Sequence, residues 1–258
     1  MAPRSIWNGT VVFGLVRVPV KLFSAIEPKG IGFREIHTKD NSPLRHRLVC
    51  KAEGEIVDRS EVVKGYEVAA DQYILLEPAE IKAAAGTRSK TIEVEEFVET
   101  EEIDPFFYAK SYYLGVRDHA ESYAVFAEAL NRSGKSGIGR FTFHNREYLV
   151  AIRARGDRLY LHTLRFADEI VGPGEVDIPA GKDPTRKEVD LARKLVSGLT
   201  EDFEPGDYED EYRQEVMELI ERKAAGKKPP RKRGRKKKES ADLTAALEES
   251  LAARSGGN

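Results

Sequence analysis

Residues 139–166 have the sequence GRFTFHNREYLVAIRARGDRLYLHTLRF, in which three runs of β-branched, aromatic and leucine residues are separated by two short breaks. Asn145-Arg146 occupies the first break and Gly156-Asp157 the second, and a Gly-Asp pair is a strong signal for a two-residue hairpin turn. The segment therefore predicts an antiparallel meander. Its three strands are expected at residues 139–144, 147–155 and 158–166.

Short strand signals also precede this meander. Residues 6–23 are rich in Val and Phe and predict one or two strands, and Pro19 indicates that the strand holding it lies at a sheet edge. Further strands are expected at residues 73–77, 91–98 and 111–114. Many short strands separated by turns favour a β-barrel. One helix is predicted to interrupt them over residues 118–130, with Asp118 as its N-cap. Its apolar face is expected to consist of Tyr123, Phe126, Ala127 and Leu130.

Beyond Gly181 the apolar residues recur every three or four positions, which indicates helices. The first helix is expected to begin at Asp183-Pro184, and the second to cover residues 208–225 and to end at Gly226. These two amphipathic helices either pack back on the barrel or reach a partner subunit, and the sequence slightly favours the first arrangement.

A last short helix is predicted after Ser240, a residue that can cap it. Leu243, Leu247 and Leu251 would then lie on one face of that helix. A helix of about a dozen residues is marginal on its own in water. The segment is therefore either a frayed tail or a helix that folds into a groove on another protein.

Charge is divided unevenly along the chain. The 258 residues include 42 Lys and Arg and 44 Asp and Glu, for a formal net charge of −2. Residues 222–238 nevertheless contain eleven basic residues and no acidic one, which leaves the rest of the chain acidic. A run of like charge repels itself and stays extended and solvated, so it suits an arm that binds a polyanion. Nucleic acid is favoured over an anionic membrane.

The sequence contains no recognisable pattern for catalysis or metal binding. Cys50 is the single cysteine, which excludes an internal disulfide and a cysteine-built zinc site and is typical of a reducing cytosolic compartment. Gly134-Lys135-Ser136 lacks the earlier glycine of a phosphate-binding loop, and the five histidines have no metal-ligand spacing. The acids in residues 93–104 could suggest a Mg²⁺ site, but acids that alternate along a strand usually form its solvated face. We expect a protein that is not an enzyme, uses no cofactor and has no membrane span.

A series of short blocks matches a known family in the family's own order. The first two are SIWNG at residues 5–9 and FGLVRVPVKLF at residues 13–23. The later blocks lie at residues 63–67, 92–98, 103–105, 111–114, 146–153, 161–169, 191–195, 210–213 and 223–227. No single block is diagnostic, but many blocks in order are specific. Along its whole length the chain resembles the bacterial Ku family of DNA-end-binding proteins.

The resemblance implies a mixed fold, with a Ku-core (SPOC-like) β-barrel, a bridge over DNA, a C-terminal helical arm and a basic disordered tail. The implied domains are the core with its bridge and one helix at residues 1–182, the arm at residues 183–225, the basic linker at residues 226–239, and the short helix and tail at residues 240–258. The resemblance also implies a homodimeric ring that threads double-stranded DNA, with each arm embracing the other subunit.

The role implied by the resemblance is non-homologous end joining in the bacterial cytoplasm, on the nucleoid. The ring would load on a broken DNA end, protect and align it, and recruit an ATP-dependent DNA ligase. The expected ligase contact is the stripe of Leu243, Leu247 and Leu251, or the arm before it. The alternative interpretation is a nucleoid-associated or regulatory DNA-binding protein, which would need a recognition helix, and we expect neither arm helix to carry basic residues along one face.

Three sets of basic residues are expected to contact DNA phosphates, which position a protein without specifying a sequence. The bridge set consists of Arg45, Arg47, Lys51, Arg59 and Lys64, together with Arg88 and Lys90. The loop set, after the helix predicted at residues 118–130, consists of Arg132, Lys135 and Arg140. The tail set consists of Lys227, Lys228, Arg231, Lys232, Arg233, Arg235, Lys236, Lys237 and Lys238. The alternative for every one of them is a solvated surface charge.

Overall fold

The computed structural model describes residues 3–84, 90–143, 146–177, 181, 183–227 and 243–255. The chain divides into two compact units, residues 1–175 and residues 176–258. The described strands are β1 (Trp7–Phe13), β2 (Val16–Ser24), β3 (Lys64–Ala69), β4 (Gln72–Leu76), β5 (Thr91–Glu99), β6 (Tyr108–Val116), β7 (Lys135–Phe143), β8 (Arg146–Arg155) and β9 (Arg158–Leu164). The described α-helices are α1 (Pro78–Ala84), α2 (Ala120–Ser133), α3 (Arg186–Gly198), α4 (Glu211–Ala224) and α5 (Leu243–Ser255).

Seven strands of the first unit form a closed barrel in the order β1-β2-β6-β9-β8-β7-β5. Neighbouring strands are antiparallel except at the closing seam, where β1 and β5 run parallel and Val11 pairs with Ile92. The predicted hairpin between β8 and β9 is present, since Gly156 has a φ of 62° and Arg155 pairs with Arg158. The barrel that the strand signals favour is therefore confirmed.

The edge position predicted from Pro19 is wrong, because a closed barrel leaves β2 between two neighbours. On one side Pro19 pairs with Thr10 of β1. On the other side its carbonyl accepts a hydrogen bond from the Arg117 amide at 3.3 Å, one residue beyond the end of β6. The ring nitrogen faces this same side, where the ladder has already ended, so no strand hydrogen bond is lost.

The barrel interior is filled by β-branched, leucine and aromatic side chains from every barrel strand. Helix α2 adds one face to this core through Tyr123, Phe126, Ala127 and Leu130, which are the residues expected from the helical spacing. The Tyr123 hydroxyl joins two strands, because it donates to the Leu114 carbonyl at 2.6 Å and accepts from the Leu159 amide at 2.8 Å. Burial raises the pKa of Tyr123, which therefore stays a neutral donor.

The predicted N-cap of this helix is wrong. The cap position is held by His119, whose φ of 54° lies in the left-handed region, and it makes no side-chain cap hydrogen bond. This turn at His119 separates Asp118 from the first helical amides, so its carboxylate instead accepts from Arg117 Nε at 2.9 Å. The helix continues past its predicted end at residue 130 to Ser133, and Gly134, with a φ of 68°, is its C-cap.

The segment between β2 and β5 stands apart from the barrel core. Two small antiparallel turns are closed by the bridges Ile36↔Pro43 and Val49↔Ile56, and the β3–β4 hairpin forms a separate two-stranded sheet. All residues of β3 and most of β4 are exposed. A two-stranded hairpin is marginally stable by itself, and none of the described residues between β2 and β5 is buried, so this part of the chain has no core of its own.

The described part of the second unit consists of helices. Helix α3 begins after its N-cap Thr185, which forms a capping box with Glu188. The predicted start, with Asp183 as the cap and Pro184 as the first helical residue, is therefore too early. Helix α4 begins after its N-cap Asp210, later than predicted, and the predicted cap of α5, Ser240, lies outside the described residues. None of the helices in the described ranges combines the length and apolar composition needed to cross a bilayer.

Candidate nucleic-acid interface

Arg45 and Arg47 lie on an extended strip between the two small turns of the segment before β3. The strip is held at both ends, because the Leu44 amide donates to Glu35 at 3.0 Å and the Leu48 carbonyl accepts from Val57 at 2.9 Å. Side chains alternate along an extended chain, so Arg45 and Arg47 share one face while Leu44 and Leu48 share the other. The strip thus presents two arginines on one face, and two leucines with His46, which contacts Glu35 at 2.9 Å, on the other.

The bridge set has a common electrostatic property. Its described members are all exposed, and within the described ranges no carboxylate lies at ion-pair distance from any of them. These members are Arg45, Arg47, Lys51, Arg59, Lys64 and Lys90. Their charge is therefore available to a phosphate without first breaking an ion pair. Arg88, the remaining member, lies outside the described residues.

The loop set differs, because each of its members already has an acidic partner. Arg132 Nε lies 2.7 Å from Glu128, and Lys135 contacts Glu99. Arg140 is held between two carboxylates, that of Glu147 at 2.7 Å and that of Glu95 at 2.9 Å. Glu147 and then Glu95 raise the pKa of Arg140. Contact with DNA would require each of these cations to exchange a carboxylate for a phosphate.

The tail set is almost wholly outside the described residues. Lys228, Arg231, Lys232, Arg233, Arg235, Lys236, Lys237 and Lys238 fall there. Lys227 is described and exposed, and its amide donates to the Arg222 carbonyl at 2.9 Å just beyond α4. The basic run thus starts at a helix terminus, and its role in DNA binding stays a prediction.

The three leucines predicted as a partner contact differ in solvent exposure. Leu243 is 62% exposed, whereas Leu247 and Leu251 are half-buried. Helix α5 lies against α3, and Lys187 Nζ contacts Glu248 Oε1 at 2.9 Å. Two of the three leucines are thus partly covered within the chain itself.

Two cations that the sequence analysis did not select adjoin a cavity of about 340 Å³ at the end of α2. Arg153 and Arg155 line it together with Lys135 and Asn131. Within the described ranges neither arginine has an ion-pair partner. Their alternation in Arg153-Ala154-Arg155 places both on one face of β8, a signal that was present in the sequence. We add both to the candidate phosphate contacts.

We expected neither arm helix to carry basic residues along one face, and α3 shows a mixed arrangement. At 3.6 residues per turn, four cations of this helix fall within about a third of its circumference. They are Arg186, Lys187, Arg193 and Lys194, and Asp190 projects between them. The cations therefore share their face with a carboxylate.

Among the described histidines, His162 is the one with a strongly shifted pKa. It is buried on β9, with its Nδ1 at 2.9 Å from Ser111 Oγ and its ring edge-on to Tyr108. Burial, and then the charge of Arg153, lowers its pKa to about 4. It is neutral near pH 7 and packs as part of the sheet. Among the described residues, no three His, Cys, Asp or Glu side chains are grouped so as to hold a metal ion.

Comparison with known proteins agrees with this architecture. A family model described as the Ku70/Ku80 beta-barrel domain matches residues 12–191. The non-homologous end joining protein Ku of Solibacter usitatus is 37% identical over 249 residues, covering 96% of this chain and 93% of the relative. The corresponding protein Ku 1 of Geotalea uraniireducens is 36% identical, covering 96% and 97%, and that of Mycolicibacterium smegmatis is 34% identical, covering 98% and 83%. The chain therefore belongs to the Ku family, among its bacterial non-homologous end joining proteins.

Proposed function

We propose that this chain forms a homodimeric ring that binds double-stranded DNA ends independently of sequence and serves double-strand break repair by non-homologous end joining. The observation that carries the proposal is the segment between β2 and β5. The described cations of the bridge set, which lie in this segment, are exposed and have no carboxylate at ion-pair distance. The chain's relatives are named for non-homologous end joining. The protein acts as a DNA-binding scaffold without catalysis.

Exposed apolar side chains support the proposal that the ring contains a second subunit. The segment between β2 and β5 and its hairpin expose a series of large apolar residues: Ile26, Phe33, Val49, Ile56, Tyr66, Tyr73, Ile74 and Leu75. Large exposed apolar side chains in such number favour an interaction site. A second copy of the same segment, related by a twofold axis, would cover these residues on both chains at once. The dimer would thereby supply the core that the segment lacks alone.

Phosphate contact without base contact suits such a ring. Phosphates carry no sequence information directly, and cations that bind them fix only position and orientation. A closed ring keeps its DNA by topology, so a modest number of exposed cations is sufficient. The acids of β5, among them Glu93, Glu95 and Glu96, are exposed on the same unit. We propose that these acids discourage side-on binding to duplex outside the hole.

End joining finishes with the formation of a phosphodiester bond. We propose that an ATP-dependent DNA ligase supplies this step and is recruited through the stripe of Leu243, Leu247 and Leu251 or through the arm. The cellular setting of such a complex is the bacterial nucleoid in the cytoplasm.

The test of the ring compares a linear duplex with the same duplex closed into a covalent circle. A ring can thread only a free end, so we expect at least roughly tenfold tighter binding to the linear form at about 0.15 M salt, where unthreaded contacts are weakened. Competition in an electrophoretic mobility assay measures this ratio. Equal affinity for the two forms would overturn the ring, and a preference among linear sequences would overturn its indifference to bases.

The unpaired cations of the strip are predicted to matter more than the paired cations of the loop. Arg45→Glu combined with Arg47→Glu should weaken binding to a linear duplex by roughly tenfold or more, because reversing both charges replaces phosphate attraction with repulsion. The matched control is Arg132→Glu combined with Lys135→Glu, which reverses two charges that carboxylates already neutralise. The control should change affinity by about twofold at most. A larger loss in the control pair would reassign the DNA contact to the loop set.

A second candidate function follows from the cations of α3. Four cations on one side of a helix are what a regulatory or nucleoid-associated DNA binder would place against a duplex. This candidate requires base discrimination, which adds about 1–3 kcal/mol per specific contact. Binding to a pool of random duplexes, followed by sequencing of the bound fraction, separates the two: enrichment of one sequence favours the regulator, and no enrichment favours the ring.

A further inference from the structure

The half-buried side chains of α3 define one face of that helix. Leu191, Ala192 and Leu195 are half-buried, whereas Val189 and Val196 are exposed. On a helical projection the three half-buried residues form one stripe, and the exposed valines form a second stripe beside it. Helix α3 therefore carries two apolar stripes, of which one is partly covered.

Helix α5 shows the matching pattern. Its half-buried Leu247 and Leu251 lie one turn apart on one face, and Glu248 flanks that face. Helix α5 packs against α3 within the second unit, and the 2.9 Å contact of Glu248 with Lys187 sits beside both half-buried stripes. The apolar stripes and the flanking opposite charges of the two helices are thus complementary.

We propose that α3 contains a docking site for α5 of the same chain, built from Leu191 and Leu195 against Leu247 and Leu251 and oriented by the Lys187–Glu248 pair. The leucines make the larger contribution, since an exposed ion pair is worth about 1 kcal/mol or less. Docking gives α5 the tertiary contacts that a helix of its length needs to persist in water. It also leaves Leu243 as the exposed member of the leucine stripe, so a partner that uses all three leucines must displace α3.

The segment that occupies the docking site on α3 is identified by its contacts. Helix α5 already contacts α3, and its Glu248 pairs with Lys187, one of the cations of α3. The exposed stripe of Val189 and Val196 has no such covering residues in the described chain and is not part of the site. The docking concerns the folded chain alone and does not depend on the proposed DNA-binding role.

The test substitutes a residue of α3 and measures amide hydrogen exchange in α5. Leu195→Asp places a charge in the stripe, and amide hydrogen exchange of residues 243–255 should become roughly tenfold faster or more, because an undocked helix of this length is mostly unfolded. The matched control is Val196→Asp, which makes the same substitution at a neighbouring position that is 66% exposed. It should leave exchange in α5 unchanged. Equal effects of the two variants, or no effect of Leu195→Asp while α3 stays protected, would overturn the docking.

A charge exchange tests the orientation without removing apolar contact. Lys187→Glu or Glu248→Lys alone should raise exchange in α5 by roughly twofold, and the double exchange should restore it. Failure of the double variant to restore protection would leave the leucines as the whole site and overturn the assigned role of the ion pair.

Cross-linking distinguishes docking within a chain from docking between chains. The single native cysteine can be removed by Cys50→Ala, and Lys187→Cys with Glu248→Cys can then be joined by a short bis-maleimide. A cross-linked single chain, identified by peptide mass spectrometry, supports the proposal, whereas a cross-linked pair of chains or no product overturns it. These measurements contain no DNA, so loss of end preference in the circle experiment would sink the ring and leave this docking site standing.

Discussion

Replacing the nine basic residues of the tail set with glutamine is expected to weaken binding to a linear duplex by roughly 100-fold at about 0.1 M salt. Each phosphate that a cation neutralises releases condensed counterions, and the logarithm of the affinity falls with the logarithm of salt with a slope of about −0.9 per contact. If about half of the nine contact phosphate at once, the slope should become shallower by roughly four. Fluorescence anisotropy titrations from about 0.05 to 0.2 M salt measure both quantities.

Deletion of residues 227–238 is the companion variant, because it removes the same charges and also shortens the chain. Agreement of the two variants assigns the effect to charge, and a greater loss in the deletion assigns part of it to the reach of the tail. Sedimentation should show that dimerisation is intact in both. A salt slope equal to that of the unchanged protein would refute the tail as a DNA contact.

Phe126→Ala is expected to lower the free energy of unfolding by about 3–5 kcal/mol, the usual cost of removing a buried phenylalanine. Phe126 is 2% exposed and stacks on Phe13 with ring centroids 4.5 Å apart. It also contacts Phe97 edge-on, with centroids 6.5 Å apart. The substitution removes the link between α2 and two barrel strands and leaves a cavity. Urea denaturation followed by circular dichroism measures the loss.

The matched control for this variant is the preceding residue. Val125 lies on the same helix and is 70% exposed, so Val125→Ala should change the free energy of unfolding by about 0.5 kcal/mol or less. Comparable losses in the two variants would mean that α2 is not held to the barrel by its buried face. Total stabilities of about 5–15 kcal/mol are usual for domains, so Phe126→Ala removes a large share.

Structural features that depend on residues close together in the sequence were predicted well. The β8–β9 hairpin follows from Gly156-Asp157, because a two-residue turn is specified by its own residues. The buried face of α2 follows from the spacing of its apolar residues. Both features depend on a few adjacent positions. The β3–β4 hairpin was predicted only in part, since a strand was expected at residues 73–77 but none at residues 64–69.

The candidate site was predicted less completely, and the reason is the distance along the chain between interacting groups. Arg140 and Glu95 are 45 residues apart, and Lys135 and Glu99 are 36 apart. These ion pairs form because β5 and β7 are neighbours in the barrel. The sequence identified the cations of the loop set but not the carboxylates that neutralise them.

By itself the sequence determined most of the strands, the β8–β9 turn, the main helices, the separation of a basic run from an acidic body, and the resemblance to the Ku family. These depend on local propensity, periodicity and the order of motifs. Only the tertiary structure decided that Pro19 sits between two strands, that His119 displaces Asp118 as the helix cap, and that the described bridge cations lack a carboxylate at ion-pair distance. Those outcomes depend on which distant backbone and side-chain groups become neighbours when the barrel closes, and local sequence does not encode the identity of those neighbours.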